Sequence, residues 1–335
     1  MLPLRRKALR IHRPGQRPRP HPPHRPRRQN KGGNHPLLGG EEPVKLCGTL
    51  PVIPTPLRDN KVDYESLERL LAHLFPALEG CTILGGTGEC ASLTLPERLE
   101  VTRFVLANAP KDKAIVVGIS HTSLPEMIAL GQAAAEEGAA GVLVSAPYYF
   151  PNSFPMLCHF LQQLDAALEM PLVLYDNPYV TKTFLRTEEL LRLAEACPHL
   201  RHVKITDLDL SKIPRLKAES DLGVFCGEDA VTFRSLLLGV DGSMIIVPSI
   251  FPRTFQEVVR LLAVGDRAGA FHLYCRRVLP LIHLLGLGEE IANAKAIFHY
   301  LGLFRTPEVR PPLLPASPER RQELILAYEE CCAEG

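Results

Sequence analysis

The chain has 335 residues, 46% of them hydrophobic and 22% charged, with a formal net charge of +1. That composition suffices to bury a large core in one or two domains. No apolar segment follows the basic start and no run of about 18 apolar residues occurs, so neither a secretory signal nor a membrane span is expected, and the expected location is cytoplasmic.

Residues 1–42 stand apart. Eleven Arg and Lys residues fall between Arg5 and Lys31, Glu41 is the first acidic residue, and Pro and His fill much of the rest. Such a segment has little apolar surface to bury, so a disordered basic extension or an over-extended start of the reading frame is expected. An Arg-rich, acid-poor start also resembles an organellar transit peptide, although its proline density suits an amphipathic helix poorly. With those eleven cations set against the overall +1, the remainder carries −10. A fold built to hold nucleic acid puts its basic footprint on the folded domain, so nucleic acid is not an expected partner. Nine cysteines are scattered without a CxxC pair or a His in ligand spacing, which predicts reduced, buried thiols and no metal site.

From residue 48 onward short apolar runs alternate with stretches of helical period. A strand at 48–55 leads to a helix at 63–78 behind Asp63; a strand at 82–86 leads to a helix at 95–109 behind Thr94. Strands at 114–120 and 141–146 precede helices at 123–138, behind Ser123, and at 153–169. Strands at 171–176, 202–206 and 223–227 precede helices at 187–196, opened by Thr187, at 209–220 and at 229–239, and an eighth strand is expected at 242–247. Only helical patterns follow, near 252–263, 267–286, 289–301 and 317–333, the last set off by a Pro-rich link.

Eight nearly continuous apolar strands joined by single helices imply a parallel sheet covered on its outer face, and eight is the number that closes a barrel. The expected fold is α/β, a (β/α)8 TIM barrel over 43–250 with a C-terminal helical domain over 251–335. An open doubly wound sheet is the competitor, but the one glycine-rich loop, "GGTGEC" at 85–90, has neither GxGxxG spacing nor a GK[ST] ending.

In such a barrel the chemistry lies at the C-terminal strand ends. There the chain offers Gly85-Gly86-Thr87-Gly88-Glu89, then Pro147-Tyr148-Tyr149, Tyr175-Asp176-Asn177-Pro178, Lys204 within "HVKITD", and Gly227-Glu228-Asp229. An amine enclosed by apolar walls gives up its proton more readily than one in water, and the neutral form attacks a ketone carbonyl to give an imine. A phenol one strand away, Tyr175, could shuttle protons, and Thr87 with the glycine-flanked backbone N–H groups could hold a carboxylate without a metal. Each feature also has a plain structural explanation: a snorkelling lysine, a packed Tyr pair, a tight connection, a buried acceptor at Glu89. Their order on successive strands favours the chemical one.

This arrangement resembles the dihydrodipicolinate synthase / N-acetylneuraminate lyase family of class I, Schiff-base aldolases over about residues 45–303. The family's G-[TS]-T-G-E loop is similar to Gly85–Glu89, its PYY to Pro147-Tyr148-Tyr149, its Y-N-x-P to Tyr175–Pro178, its GDD to Gly227-Glu228-Asp229, and its late K-x-x-x-x-x-L-G to Lys295–Gly302. The resemblance implies a homo-oligomer, dimer or tetramer, without metal or organic cofactor. It implies that Lys204 forms an imine with pyruvate or another 2-oxo acid and that Tyr175 relays protons. Gly86, Thr87, Tyr149, Gly227 and Ile246 would contact substrate, Tyr149 in the manner of a tyrosine reaching across a subunit interface, with Glu89 and Asp176 as accessory groups.

Two positions depart from the pattern. Gly86 stands where a Thr or Ser is usual, which interrupts a hydroxyl relay from Tyr149 to Tyr175. Val180 stands where an arginine pairs the carboxylate of the aldehyde partner, and a valine cannot do that. An aldol condensation or cleavage with a less acidic partner, or one held by Lys182 or Arg186, is therefore expected in place of the strict 4-hydroxy-tetrahydrodipicolinate synthase reaction. The alternatives are an imine-dependent dehydratase or deaminase of a sugar-acid or hydroxyproline-derived 2-oxo acid, and a barrel that only binds. Asp176 beside Tyr175 adds a carboxylate that serves as acid or base, or holds structure.

Overall fold

Eight short parallel strands form one sheet: β1 (Gly48–Thr49), β2 (Gly80–Ile83), β3 (Ala114–Gly118), β4 (Gly141–Ser145), β5 (Leu172–Asp176), β6 (Leu200–Ile205), β7 (Gly223–Cys226) and β8 (Gly242–Ser243). They belong to a computed structural model that describes residues 46–286 and 289–333; the extension expected at 1–42 lies outside the described residues. From β2 to β8 each strand pairs with the next, and β8 returns to β1 through Gly48↔Gly242 and Thr49↔Ser243. The circle closes at Val52↔Thr82, where Ile53 N donates to Thr82 O at 3.0 Å and Thr82 N to Pro51 O at 2.8 Å. The fold is a (β/α)8 TIM barrel.

The helices between strands are α1 (Tyr64–Leu74), α2 (Leu95–Asn108), α3 (Leu124–Glu136), α4 (Phe154–Leu168), α5 (Thr187–Ala196), α6 (Lys212–Glu219) and α7 (Thr232–Leu237). Asp63 caps α1 by accepting from Ser66 N, and Thr94 and Glu97 form a reciprocal capping box on α2. Ser123 holds the cap position of α3 without a side-chain bond. At α5 the cap position belongs to Arg186, not Thr187: Glu189 turns back to accept from Arg186 N at 2.9 Å, and Thr187 begins the helix.

C-terminal helices follow: α8 (Pro252–Ala263), α9 (Arg267–Arg277), α10 (Leu279–Leu285), α11 (Glu290–Tyr300) and α12 (Pro318–Cys332). The single helix expected over 267–286 is two, because Val278 leaves helical geometry at φ −124, ψ −52. Pro280 explains the break: it lacks an N–H for the Arg276 carbonyl and its ring crowds that turn. The eighth strand likewise stops at Ser243, since Ile246 N and Val247 N donate to the Asp229 carboxylate at 3.2 and 3.0 Å instead of to a neighbouring strand. Among the described residues no helix is long and apolar enough to cross a membrane.

Side-chain alternation divides the core. Leu50, Val52, Ala114, Val116, Leu143, Val173, Phe225 and Met244 fill the barrel, whereas their strand neighbours Ile115, Val117, Val142, Val144, Val203, Ile205 and Val224 point out to the helices. The outer core is continuous with the C-terminal helices through Phe255, Leu281, Phe298 and Leu324.

Candidate active site

Alternation fixes where Lys204 goes. Val203 and Ile205 pack outward, so Lys204 points into the barrel, where it is 4% exposed. Directly across the ladder stands Tyr175, and the Lys204 Nζ lies 3.9 Å from the centroid of its ring. Lys204 makes no hydrogen bond or ion pair with the described residues. Its stem passes Gly227, where a Cβ would come within 2.8 Å of Lys204 Cγ and Cε, so only glycine leaves that passage clear.

The Tyr175 hydroxyl accepts a bond from Asn177 Nδ2 at 3.0 Å, which leaves its own proton free to be given away. Asn177 in turn accepts from Val180 N and caps the short turn Pro178–Thr181. Lys204, Tyr175, Gly86, Thr87, Gly227 and Ile246, six of the residues expected at the site, line a single cavity of about 330 Å³. Its outer rim comes partly from the C-terminal helices, through Ile282, Leu285 and Glu290.

Three expected residues do not line this cavity. Tyr149 is 77% exposed and meets Phe150 edge-on at 4.9 Å. Asp176, one residue past the inward Tyr175, is buried on the outer side and accepts from Lys212 Nζ at 2.8 Å. Glu89 anchors the Gly85–Glu89 loop: it pairs with the fully buried Lys295, accepts from Arg310 N at 2.8 Å, and Lys295 donates to Glu308 O at 2.7 Å. Burial pulls the Lys295 ammonium below the usual lysine range against the attraction of Glu89. Leu84 and Glu89 both hold positive φ, at 56°, so the loop is held at each end in a conformation L-residues resist. Gly86, by contrast, has nothing within 4 Å of where a Cβ would stand.

Charge in the cavity is one-sided. Lys204 is the one cation among its described lining residues; Glu228, Asp229 and Glu290 are acids. Burial and the nearby Glu290 push the Asp229 carboxyl up to about 7, and burial followed by Glu228 raises that of Glu290, which is open to water but set in the concave rim. Val180 lies on the wall, 60% exposed. Lys182 and Arg186, considered above as substitutes for an arginine at that place, point elsewhere: Lys182 Nζ donates to Tyr179 O at 2.7 Å and Arg186 pairs with Glu189, neither on the cavity wall. Sequence reasoning assigned no role to Asn177, Lys212 or Glu290. Lys212 carried one signal, its place beside Ile213 and Leu216 on the buried face of α6.

A family model described as the dihydrodipicolinate synthetase family matches residues 45–330. The chain belongs to this family. Among its relatives, a 4-hydroxy-tetrahydrodipicolinate synthase of Salinibacter ruber is 29% identical, over 84% of this chain and 95% of the relative. An N-acetylneuraminate lyase of Citrobacter koseri is also 29% identical, over 83% of this chain and 95% of its own length. Of the solved structures, the 4-hydroxy-tetrahydrodipicolinate synthase of Methylacidiphilum fumariolicum superposes with a TM-score of 0.81 at 26% identity, covering 86% of this chain and 96% of that one.

Proposed function

We propose that this chain is a class I lyase or aldolase in which Lys204 forms an imine with pyruvate or another 2-oxo acid. The observation that carries the proposal is the Lys204 amine, buried inside the barrel, free of ion pairs among the described residues and 3.9 Å from the Tyr175 ring. The amine nitrogen attacks the ketone carbon, the carbonyl oxygen takes a proton, and loss of water leaves a protonated imine that withdraws electrons from the adjacent carbon. Tyr175, with its oxygen held by Asn177, moves protons to and from that oxygen and the carbon that forms or breaks a bond. Thr87 and the backbone at Gly86 and Thr87 hold the 2-oxo acid carboxylate.

The strict 4-hydroxy-tetrahydrodipicolinate synthase reaction needs a second carboxylate held in the site, and among the described lining residues no cation besides Lys204 is there to pair it, while Val180 offers none. An aldehyde partner without a carboxylate fits better. The same charge pattern favours the second possibility, a dehydratase or deaminase that eliminates from the imine and takes no aldehyde at all. The exposed Tyr149 and Phe150 side chains support assembly with further copies of the chain.

Borohydride trapping with pyruvate should leave a covalent adduct on the wild type and none on Lys204→Ala; an equal yield on the variant overturns the proposal. A panel of 2-oxo acids, with and without aldehydes, then separates aldol products from elimination products.

A further inference from the structure

We propose that Lys212 is a positioning residue for the reaction at Lys204, an inference that rests on the imine proposal above. β5 and β6 bring the two reacting side chains face to face at Tyr175↔Lys204, and the next step of the same ladder is Asp176↔Ile205. Alternation turns Asp176 out of the barrel at the step after it turns Tyr175 in. Beneath α6 a buried ammonium meets it. Lys212 Nζ lies 2.8 Å from Asp176 Oδ2 and 2.7 Å from Asp207 Oδ2.

Asp176 directly follows Tyr175, and Asp207 stands three residues past Lys204. Lys212 thus ties together the C-terminal ends of the two strands that carry the chemistry, and fixes both to the first residue of α6. Thr206 N donates to Asp176 O at 3.0 Å and continues the strand pairing between the same two ends. Lys212 and Asp176 are 3% and 2% exposed, a low-dielectric setting in which a charged bond holds its geometry stiffly. Asp176 Oδ1 has no hydrogen-bond partner among the described residues, so Lys212 is what orients that carboxylate.

Stability alone is a poor account of this arrangement. Apolar residues of similar volume commonly hold a fold as well as a buried ion pair does, whereas ions fix one relative placement of the groups they join. The placement fixed here is that of Tyr175 against Lys204.

The test is a double-mutant cycle read by the rate of borohydride trapping with pyruvate, on wild type, Lys212→Met, Tyr175→Phe and the double variant, with near-ultraviolet circular dichroism as the check of fold. Lys212→Met should slow trapping about 10- to 100-fold, since a displacement near 1 Å has effects of that size. In the Tyr175→Phe background the same change should cost less than about twofold, because the group being aligned is gone. Lys212→Arg should restore most of the rate.

If Lys212→Met does not fold, Asp176→Asn with Lys212→Met strands no buried charge at Asp176 and takes its place in the cycle. A folded variant with the wild-type rate, equal slowing in both backgrounds, or loss of fold in both variants overturns the inference. Wild type that gives no adduct, or Lys204→Ala that keeps it, overturns the imine proposal and this inference with it; neither result needs a Lys212 variant to be seen.

Discussion

Replacing Gly227 by alanine probes the space that lets the Lys204 amine stand free. A Cβ at this position would sit 2.6 Å from Thr206 Oγ1 and 2.8 Å from both Cγ and Cε of Lys204. Carbon atoms pack at about 3.5–4.0 Å, so the new methyl group overlaps two atoms of the lysine stem by about 1 Å. Gly227 does not use left-handed backbone, so the substitution adds this overlap without backbone strain. Thr206 is held by its own bond to Gly227 O at 3.0 Å, which leaves the lysine stem as the part that moves. Overpacking of this kind costs about 1–3 kcal/mol, to be read from urea unfolding. Displacing the amine by about 1 Å should slow imine trapping with pyruvate roughly 10- to 100-fold. Gly86→Ala is the matched control in the same cavity. Its Cβ meets nothing within 4 Å, so as a control for overpacking alone its stability should stay within about 0.5 kcal/mol of wild type. Wild-type trapping by Gly227→Ala, or an equal loss of stability in Gly86→Ala, would refute the assignment of that space to Lys204.

Lys295→Met should leave Glu89 buried without its cation and cost about 3–5 kcal/mol, while adding Glu89→Gln should recover most of the loss; urea unfolding in which the double variant is no better than the single one argues against the pair as the anchor of the loop. For Asp229 the sign follows from its raised pKa. Below about 4 both the folded and the unfolded chain hold the proton, from there to about 7 only the folded chain does, and stability should fall as pH rises through that window. Asp229→Asn should flatten that decline between pH 5 and pH 8, and an unchanged slope would assign it to other groups.

The barrel was legible because its signal repeats. Eight apolar runs separated by helical periods leave few arrangements, and the strand ends then place Lys204, Tyr175, Thr87 and Gly227 without further information. Boundaries were less legible where side chains compete with the backbone. β8 is two residues long because Asp229 takes the amides of Ile246 and Val247, and the spacing of apolar residues carries no trace of that competition. The break at Val278 could have been found, since Pro280 is plain in the sequence. Lys212 was hidden for a different reason: a lysine on an exposed-looking helix pairs with Asp176 only once α6 is laid over β5 and β6, a contact 36 residues apart along the chain.

Neighbouring residues on these strands serve two sides of the barrel wall. Tyr175 and Lys204 face the cavity, while Asp176 and Ile205, one step on, face the helices. A slip of one residue would exchange the two sets, so the outer contacts that fix register also decide which groups meet inside. Val180, Glu228, Asp229 and Glu290 lie beyond the strands, in the turns that follow β5 and β7 and at the start of α11. Under the imine proposal the strands set the reacting pair Tyr175 and Lys204, and the positions beyond the strands are where the choice of partner is made.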